Sequence, residues 1–567
     1  MFLPVTLDEA RKLGWDGLDV VLVTGDAYID SPYIGVSVIG HWLVKAGFTV
    51  GVIPQPDPEG DDLARLGKPR LFWGVTGGSV DSMVANTTAT FRRRKRDDMT
   101  PGGLNTKRPD RAVIRYANAI RRLFREPGPV VLGGIEASLR RLAHYDYWED
   151  RIRRSILFDA KADYLIYGMG EWAVVELAKA MREGRDPSGI RGICYPARGV
   201  PAGYLELPPY EQVARDPDAF AAMFKVFYAN NEARTARGLA QRQDTRWLVQ
   251  TPPAPSLTEA ELDAVHALPF ERDVHPANRK EGPVKALETI RFSIPTHRGC
   301  FGECNFCAIA VHQGKGIASR SEGSILQEAE ALVRLPGFKG NILDVGGPTA
   351  NMYGMGCDAG GCGVRRCLVP RRCRHLRACH QRQVRLLERL RAVPGLKKVF
   401  VASGIRYDLV MEDATHGEAY LKALAEHHVS GQLKVAPEHC SPRVLAAMGK
   451  PDHGLLLRFK EAFERASKRG GKRQFLTYYF IAAHPGCSME DMEALHEWVR
   501  RELKLNPEQV QIFTPTPSTW SALMYWTERD PWSGERLFVE KGLKGKQAQK
   551  ERVTGRALPG AGPRRRP

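Results

Sequence analysis

The chain has 567 residues, 43% hydrophobic and 26% charged, with a net charge of +18. That is enough apolar material for two or three domains, while the absence of any run of about twenty apolar residues excludes a transmembrane helix and the acidic pair Asp8–Glu9 argues against a signal peptide, so a cytoplasmic protein with no membrane partner is expected. The positive balance leaves a nucleic-acid partner open, but much of it is local: residues 540–567 carry nine Lys/Arg against two Glu, and Arg92–Arg96 and Arg365–Arg377 add further basic runs.

The first ~200 residues read as α/β. Gly17–Gly25 (GLDVVLVTG), FTVGVIPQ, PRLFWGVTGG, PVVLGGIEAS and ADYLIYGMGE have strand length and are rich in apolar residues and glycine, with helical stretches such as SVIGHWLVKAGF between them. That alternation predicts βαβ units and a Rossmann-like parallel sheet over residues 1–200. A ligand site is expected at the carboxyl ends of its strands, although no G-x-G-x-x-G fingerprint is present.

Residues 201–285, with PAGYLELPPYE and TPPAPSLTEAE around a charged segment, read as a connection. A second α/β block follows over residues 286–535. RFSIPTH, GNILDVGG, KKVFVASG, GQLKVAPEH, FLTYYFIAAH and VQIFTPTP are its strands. EGSILQEAEALVRL and HQRQVRLLERLRAV carry apolar residues at three- and four-residue spacing, as amphipathic helices do. Six such units fit a (β/α)6 partial barrel, with the chemistry at the carboxyl ends of the strands. Residues 536–567 are expected to be a basic, disordered tail.

The first barrel strand runs into THRGCFGECNFCAIAVHQGKG, which spaces Cys300, Cys304 and Cys307 as C-x3-C-x2-C. A cubane iron–sulfur cluster normally takes four thiolates, so three leave one iron without a protein ligand. An open position of that kind marks a reactive metal site. Zinc is the alternative, with His297 or His312 completing the set. Disulfides fit poorly, because eleven cysteines is an odd number in a chain without a signal peptide. A second group, Cys357, Cys362, Cys367 and Cys373, forms a cysteine-rich insert over residues 355–380 with His375 or Cys379 to spare. It could bind zinc or a second iron–sulfur cluster, and its arginines would favour thiolates. Other strand ends carry Gly346-Gly347-Pro348, Ser403 with Arg406, and Glu438 with His439. The last two are candidates for proton transfer or for binding substrate.

Phe306 makes the cysteine loop C-x3-C-x-aromatic-C, which resembles the radical S-adenosylmethionine (SAM) superfamily. GGIEASLRRLAHYDYW, the Cys300 loop, DVGGPTANMYG, the cysteine-rich insert, SGIRYD, KVAPEH, AHPGCS and FTPTPSTWSALMYWT together resemble its YgiQ-like family from about Gly25 to Thr527. The resemblance implies a 4Fe–4S cluster on Cys300, Cys304 and Cys307, with SAM chelating the open iron. Phe306, Gly346, Gly347, Pro348, Ser403 and Arg406 would be the SAM contacts, Arg406 by a bidentate fork on the carboxylate. It also implies an electron donor such as flavodoxin or ferredoxin, and a radical reaction on a substrate it does not name. GGIEASLRR and YLIYGMGEW look like the domain that often binds cobalamin ahead of such barrels, but Tyr28 falls where that domain's ligand histidine would be, so histidine-held cobalamin is not expected. Competing readings are an RNA-modifying enzyme of the methylthiotransferase kind, a zinc-stabilised nucleic-acid-binding protein without catalysis, and an electron-transfer module.

Overall fold

The computed structural model describes residues 1–359, 362 and 366–555. Five parallel strands lie side by side in the order Val50–Pro54, Val20–Thr24, Phe72–Thr76, Val130–Leu132, Tyr164–Ile166. Helices between them bury both faces. In Ala112–Leu123 the buried Val113, Tyr116, Ala117 and Ile120 follow the three-and-four spacing that packs a helix on a sheet.

Strand order reverses between Val20–Thr24 and Phe72–Thr76, the point where open α/β sheets bind ligands. Here the crevice is filled. Arg108 is buried, donates to Asp26 at 2.6 Å and pairs with Asp97 at 3.2 Å, while Gln55 donates to the Gly25 carbonyl. A Cβ on Gly25 would stand 2.3 Å from the Gly77 carbonyl, so the two strand ends touch. Tyr28 is a core residue, its hydroxyl accepting from Leu3 N–H and donating to Asp30.

Residues 201–285 do more than connect. Leu205–Leu207, Leu239–Gln243 and Arg246–Gln250 extend the same sheet beyond Ile193–Ala197. Sequence pattern hides these strands because their buried positions include Gln241, Gln243 and Gln250, which are polar. Gln241 and Gln243 accept from the N–H groups of Ala143 and Ser155.

The second block forms the expected barrel. Ser293–Pro295 pairs with Asp344–Gly346, and Asn341–Ile342 with Lys398–Val399. Ile405 bridges to Val435, Gln432–Glu438 pairs with Phe475–Ala482, and that strand with Gln509–Ile512, all in parallel. Among the described residues the first and sixth strands do not pair with each other, so the barrel is open. The two halves share a core: Phe513, Leu523, Met524 and Tyr525 are buried with Leu139 and Tyr145. No helix among the described residues is long and apolar enough to cross a membrane.

Part of the segment expected to be a disordered tail is structured. Leu543–Thr554 is a helix packed on Met489–Trp498, and only residues 556–567 of the tail lie outside the described residues. Its buried side chains are mostly polar, which is why composition conceals it. Lys546 donates to the hydroxyls of Tyr147 and Tyr525, both at 2.8 Å. Gln549 accepts from Ala483 N–H at 2.8 Å and donates to the Cys487 carbonyl at 3.2 Å. Gln549→Leu strands both buried groups and is expected to lower stability by about 1–3 kcal/mol; an unchanged melting temperature contradicts this.

Buried histidines make the fold acid-sensitive. His428 donates to the Val399 carbonyl at 2.7 Å, and His439 accepts from Ser441 N–H at 3.0 Å. Burial pushes each down to about 4, whereas in the unfolded chain they titrate near 6.5. Between those values the unfolded chain binds protons that the native chain does not, so stability falls as pH drops through the window. At pH 5 the loss relative to pH 7 is about 2 kcal/mol per ring, readable as a fall in melting temperature.

Candidate functional site

The cysteine loop spans residues 299–317 and is closed at its base by an antiparallel ladder of His297–Arg298 with Ala318–Ser319. Gly299 is left-handed (φ 86°), and a Cβ there would meet the Gly316 carbonyl at 1.9 Å, so only glycine fits. The loop is pinned from below by Asn305, whose backbone N–H and side-chain amide donate to the carbonyls of Met448 and Ala447 at 2.9 and 2.7 Å. Cys307 N–H closes a turn on the Cys304 carbonyl.

These constraints turn the three thiols toward one another. Burial, followed by the neighbouring thiols, pushes Cys307 up to about 12. Burial also raises Cys300, against a hydrogen-bond contact of 3.3 Å with Thr349 Oγ1. Burial thus makes Cys300 and Cys307 costly to ionise alone, and a cationic metal centre that takes them as thiolates removes that cost. The donor set therefore fits an iron–sulfur cluster. Each of the two histidines beside the loop has one ring nitrogen engaged: His297 Nδ1 lies 2.8 Å from Thr296 Oγ1, and His312 Nδ1 lies 3.1 Å from Ser138 Oγ in the N-terminal sheet domain.

The neighbouring strand ends converge on this loop. Gly346 closes the second strand, its carbonyl accepting from Thr296 N–H at 2.7 Å. A Cβ on Gly347 would come within 2.6 Å of the His297 ring. Pro348 then leads to Thr349 and so to Cys300. Phe306 packs against both cores, its ring edge-on to His484 at 6.2 Å. Ser403 donates its hydroxyl to Asp344, which also accepts the N–H groups of Ala402 and Ser403.

Arg406 departs from its expected pairing with the SAM carboxylate. Its fork is already engaged by Asp408, at 2.7 and 2.5 Å, and its remaining arm, Nη1, points at Cys304 Sγ from 3.7 Å. Asn351 fixes its backbone, accepting from Arg406 N–H at 2.7 Å and donating to its carbonyl at 3.0 Å. Glu438 sits at the end of the fourth strand, buried, left-handed (φ 68°) and 3.6 Å from Lys450. Burial raises its carboxyl, opposed by Lys450 and Arg406. His439 does not meet the proton-transfer expectation: its Nδ1 accepts from Ser441 N–H and its Nε2 faces Cys487 Sγ at 3.7 Å, so both ring nitrogens are structural.

The second cysteine group lies beside this loop, with Cys379 away from it. Cys357, Cys362 and Cys367 line a cavity of about 590 Å3 whose other walls are Tyr167–Met169, Phe301 and residues 311–318. Cys373 is tied to Cys367 by its backbone N–H at 2.8 Å. Cys379 stands apart, 3.3 Å from His416 Nδ1 and grouped with Asp413. Asp413 already accepts from His380 N–H and Nδ1–H and from the N–H groups of Thr415 and His416, filling its four acceptor positions. Residues 360–361 and 363–365 of the insert lie outside the described residues.

Sequence reasoning missed Asp344, Thr349, Asn351, Asp408 and Lys450. The first four sit inside or beside the segments DVGGPTANMYG and SGIRYD, so proximity to a strand end was the available signal.

The family model "Radical SAM N-terminal" matches residues 2–293, and "Radical SAM superfamily" matches residues 294–499. A UPF0313 protein of Fusobacterium nucleatum is 52% identical over 98% of each chain, and one of Thermotoga maritima is 49% identical over 98% of each. Among solved structures, TsrM from Kitasatospora setae, a radical SAM methyltransferase with cobalamin and a 4Fe–4S cluster bound, aligns at TM-score 0.51 and 17% identity over 89% of this chain and 74% of that one. OxsB, a cobalamin-dependent SAM radical enzyme, aligns at TM-score 0.52 and 11% identity over 90% of this chain and 56% of that one. At those identities the structural likeness is one of fold, whereas the family matches go further: the chain belongs to the UPF0313 family of radical SAM enzymes.

Proposed function

We propose that Cys300, Cys304 and Cys307 hold the 4Fe–4S cluster of this enzyme and that SAM binds at its open iron, against the turn Gly346–Pro348 and Phe306. When bound, the cluster supplies one electron to the SAM sulfonium, giving methionine and a 5′-deoxyadenosyl radical. The observation that carries the reading is that one closed loop sets three half-buried thiols within electrostatic reach of one another, with the Gly346–Thr349 turn in hydrogen-bond contact with Cys300. Gly346 and Gly347 present backbone without side chains, so a ligand's amino group can approach closely. Ser403, fixed by Asp344, offers its remaining lone pair. Glu438 supplies a buried carboxylate for the ligand's polar atoms or for a proton. Flavodoxin or ferredoxin would be the electron source.

The cavity beside the loop supports a substrate chamber, and Cys357, Cys362, Cys367 and Cys373 a second metal at its wall. Cobalamin forms no part of the proposal, because the crevice at the sheet's reversal point is filled by Arg108, Asp26, Asp97 and Gln55. The test is anaerobic reconstitution with iron and sulfide, followed by reduction in the presence of SAM. Formation of 5′-deoxyadenosine is expected. A chain that takes up zinc but no iron and sulfide sinks the reading.

A further inference from the structure

We infer that Arg406 is a positioning residue that sets the reduction potential of the cluster, by directing an N–H of its guanidinium at the Cys304 thiolate. The inference rests on the cluster assignment above and concerns this chain's own hydrogen-bonding of it.

The guanidinium is buried and so is its partner Asp408. Two of its three nitrogens are engaged by Asp408, which leaves Nη1 facing Cys304 Sγ at 3.7 Å. Gly302 makes that approach possible: a Cβ there would lie 3.1 Å from Nη1 and 3.2 Å from Cys300 Sγ, wedged between the cation and the thiols. Nothing of the loop's side chains intervenes.

The arm is also held in place from behind. Asn351 is fully buried, and its amide grips both backbone groups of Arg406. Asn351 Nδ2 lies 3.1 Å from His380 Nε2, and His380 Nδ1 lies 2.8 Å from Asp413. One protonation state satisfies every contact: His380 is neutral, donates from Nδ1 to the carboxylate and accepts at Nε2 from Asn351. The guanidinium is therefore anchored through a run of buried side chains that ends at Asp413.

A cation fixed at a thiolate acts differently on the two oxidation states. The reduced cluster carries one more negative charge, so a buried donor stabilises it more than the oxidised one and raises the potential; hydrogen bonds to the sulfurs are among the recognised determinants of such potentials. Direct binding of the SAM carboxylate would require Asp408 to release the fork. The geometry assigns Arg406 to the cluster.

The experiment is a redox titration followed by electron paramagnetic resonance, without SAM, on the reconstituted wild type, Arg406→Lys, Arg406→Gln and the double variant Arg406→Gln/Asp408→Asn. The double variant removes both buried charges and so guards against simple misfolding of the single one. Arg406→Gln and the double variant are expected to shift the reduction equilibrium at least tenfold toward the oxidised cluster, which is 59 mV for one electron. Arg406→Lys keeps the charge without the fork and should fall between. Unchanged potentials in variants with full iron and sulfide content overturn the inference while leaving the cluster assignment intact. A wild-type chain that takes up no cluster ends both.

Discussion

Replacing any one of Cys300, Cys304 or Cys307 with alanine is expected to abolish formation of 5′-deoxyadenosine, by at least about 100-fold, because loss of a direct ligand must exceed the 10–100-fold that outer partners of a metal site cost. The iron and sulfide content of the reconstituted chain should fall with it. The loop geometry makes the three equivalent in this respect. Asn305 clamps the loop to the end of Pro442–Met448, and the ladder His297–Arg298 with Ala318–Ser319 closes it. Cys194 and Cys440, buried in the two cores, provide the contrast: their alanine variants should retain cluster and activity. The insert cysteines divide the remaining possibilities. If Cys357, Cys362, Cys367 and Cys373 hold a second iron–sulfur cluster, replacing all four lowers iron content but leaves SAM cleavage in place. If they hold zinc, iron is unchanged and zinc is lost. Full activity in all three of the loop variants would sink the cluster assignment.

The barrel was legible because its strands are apolar runs that end in glycine or polar residues, a contrast that survives in one dimension. The candidate cluster cysteines stand out in the sequence because their spacing is itself a chemical pattern. What escaped was held together by polar side chains. Gln241, Gln243 and Gln250 conceal strands of the first sheet, and Lys546 and Gln549 conceal the terminal helix, since a buried amide or ammonium reads as surface until its partner is known. Arg406 shows the same limit within the site. A cation at a strand end suits either a ligand carboxylate or a protein one, and only folding brings Asp408, two residues on, into its fork. His439 was indistinguishable from a proton carrier until Ser441 and Cys487 took up both its nitrogens.

Glu438 and Lys450 are expected to separate stability from chemistry. Glu438 holds a left-handed backbone (φ 68°) at an irregularity in the pairing of Gln432–Glu438 with Phe475–Ala482. A non-glycine residue in that region costs about 1–3 kcal/mol and persists only where its surroundings enforce it. Its carboxyl lies within electrostatic reach of Cys307, and Lys450 is its salt-bridge partner, at 3.6 Å. Lys450→Met leaves a buried carboxylate without its counter-charge. Stability should fall by about 3–5 kcal/mol, and the Glu438 carboxyl, already raised by burial, should rise further. Glu438→Gln keeps the shape and the backbone strain but removes the charge. If the carboxylate serves the ligand or a proton, SAM cleavage should drop about 100-fold or more, the usual contribution of a positioned acid or base, with iron and sulfide content intact. If Glu438 serves only to neutralise Lys450, Glu438→Gln instead behaves as a milder stability variant, and the double variant Glu438→Gln/Lys450→Met recovers both melting temperature and activity. Recovery of stability without activity in the double variant is the outcome that ties the strained carboxylate to the reaction.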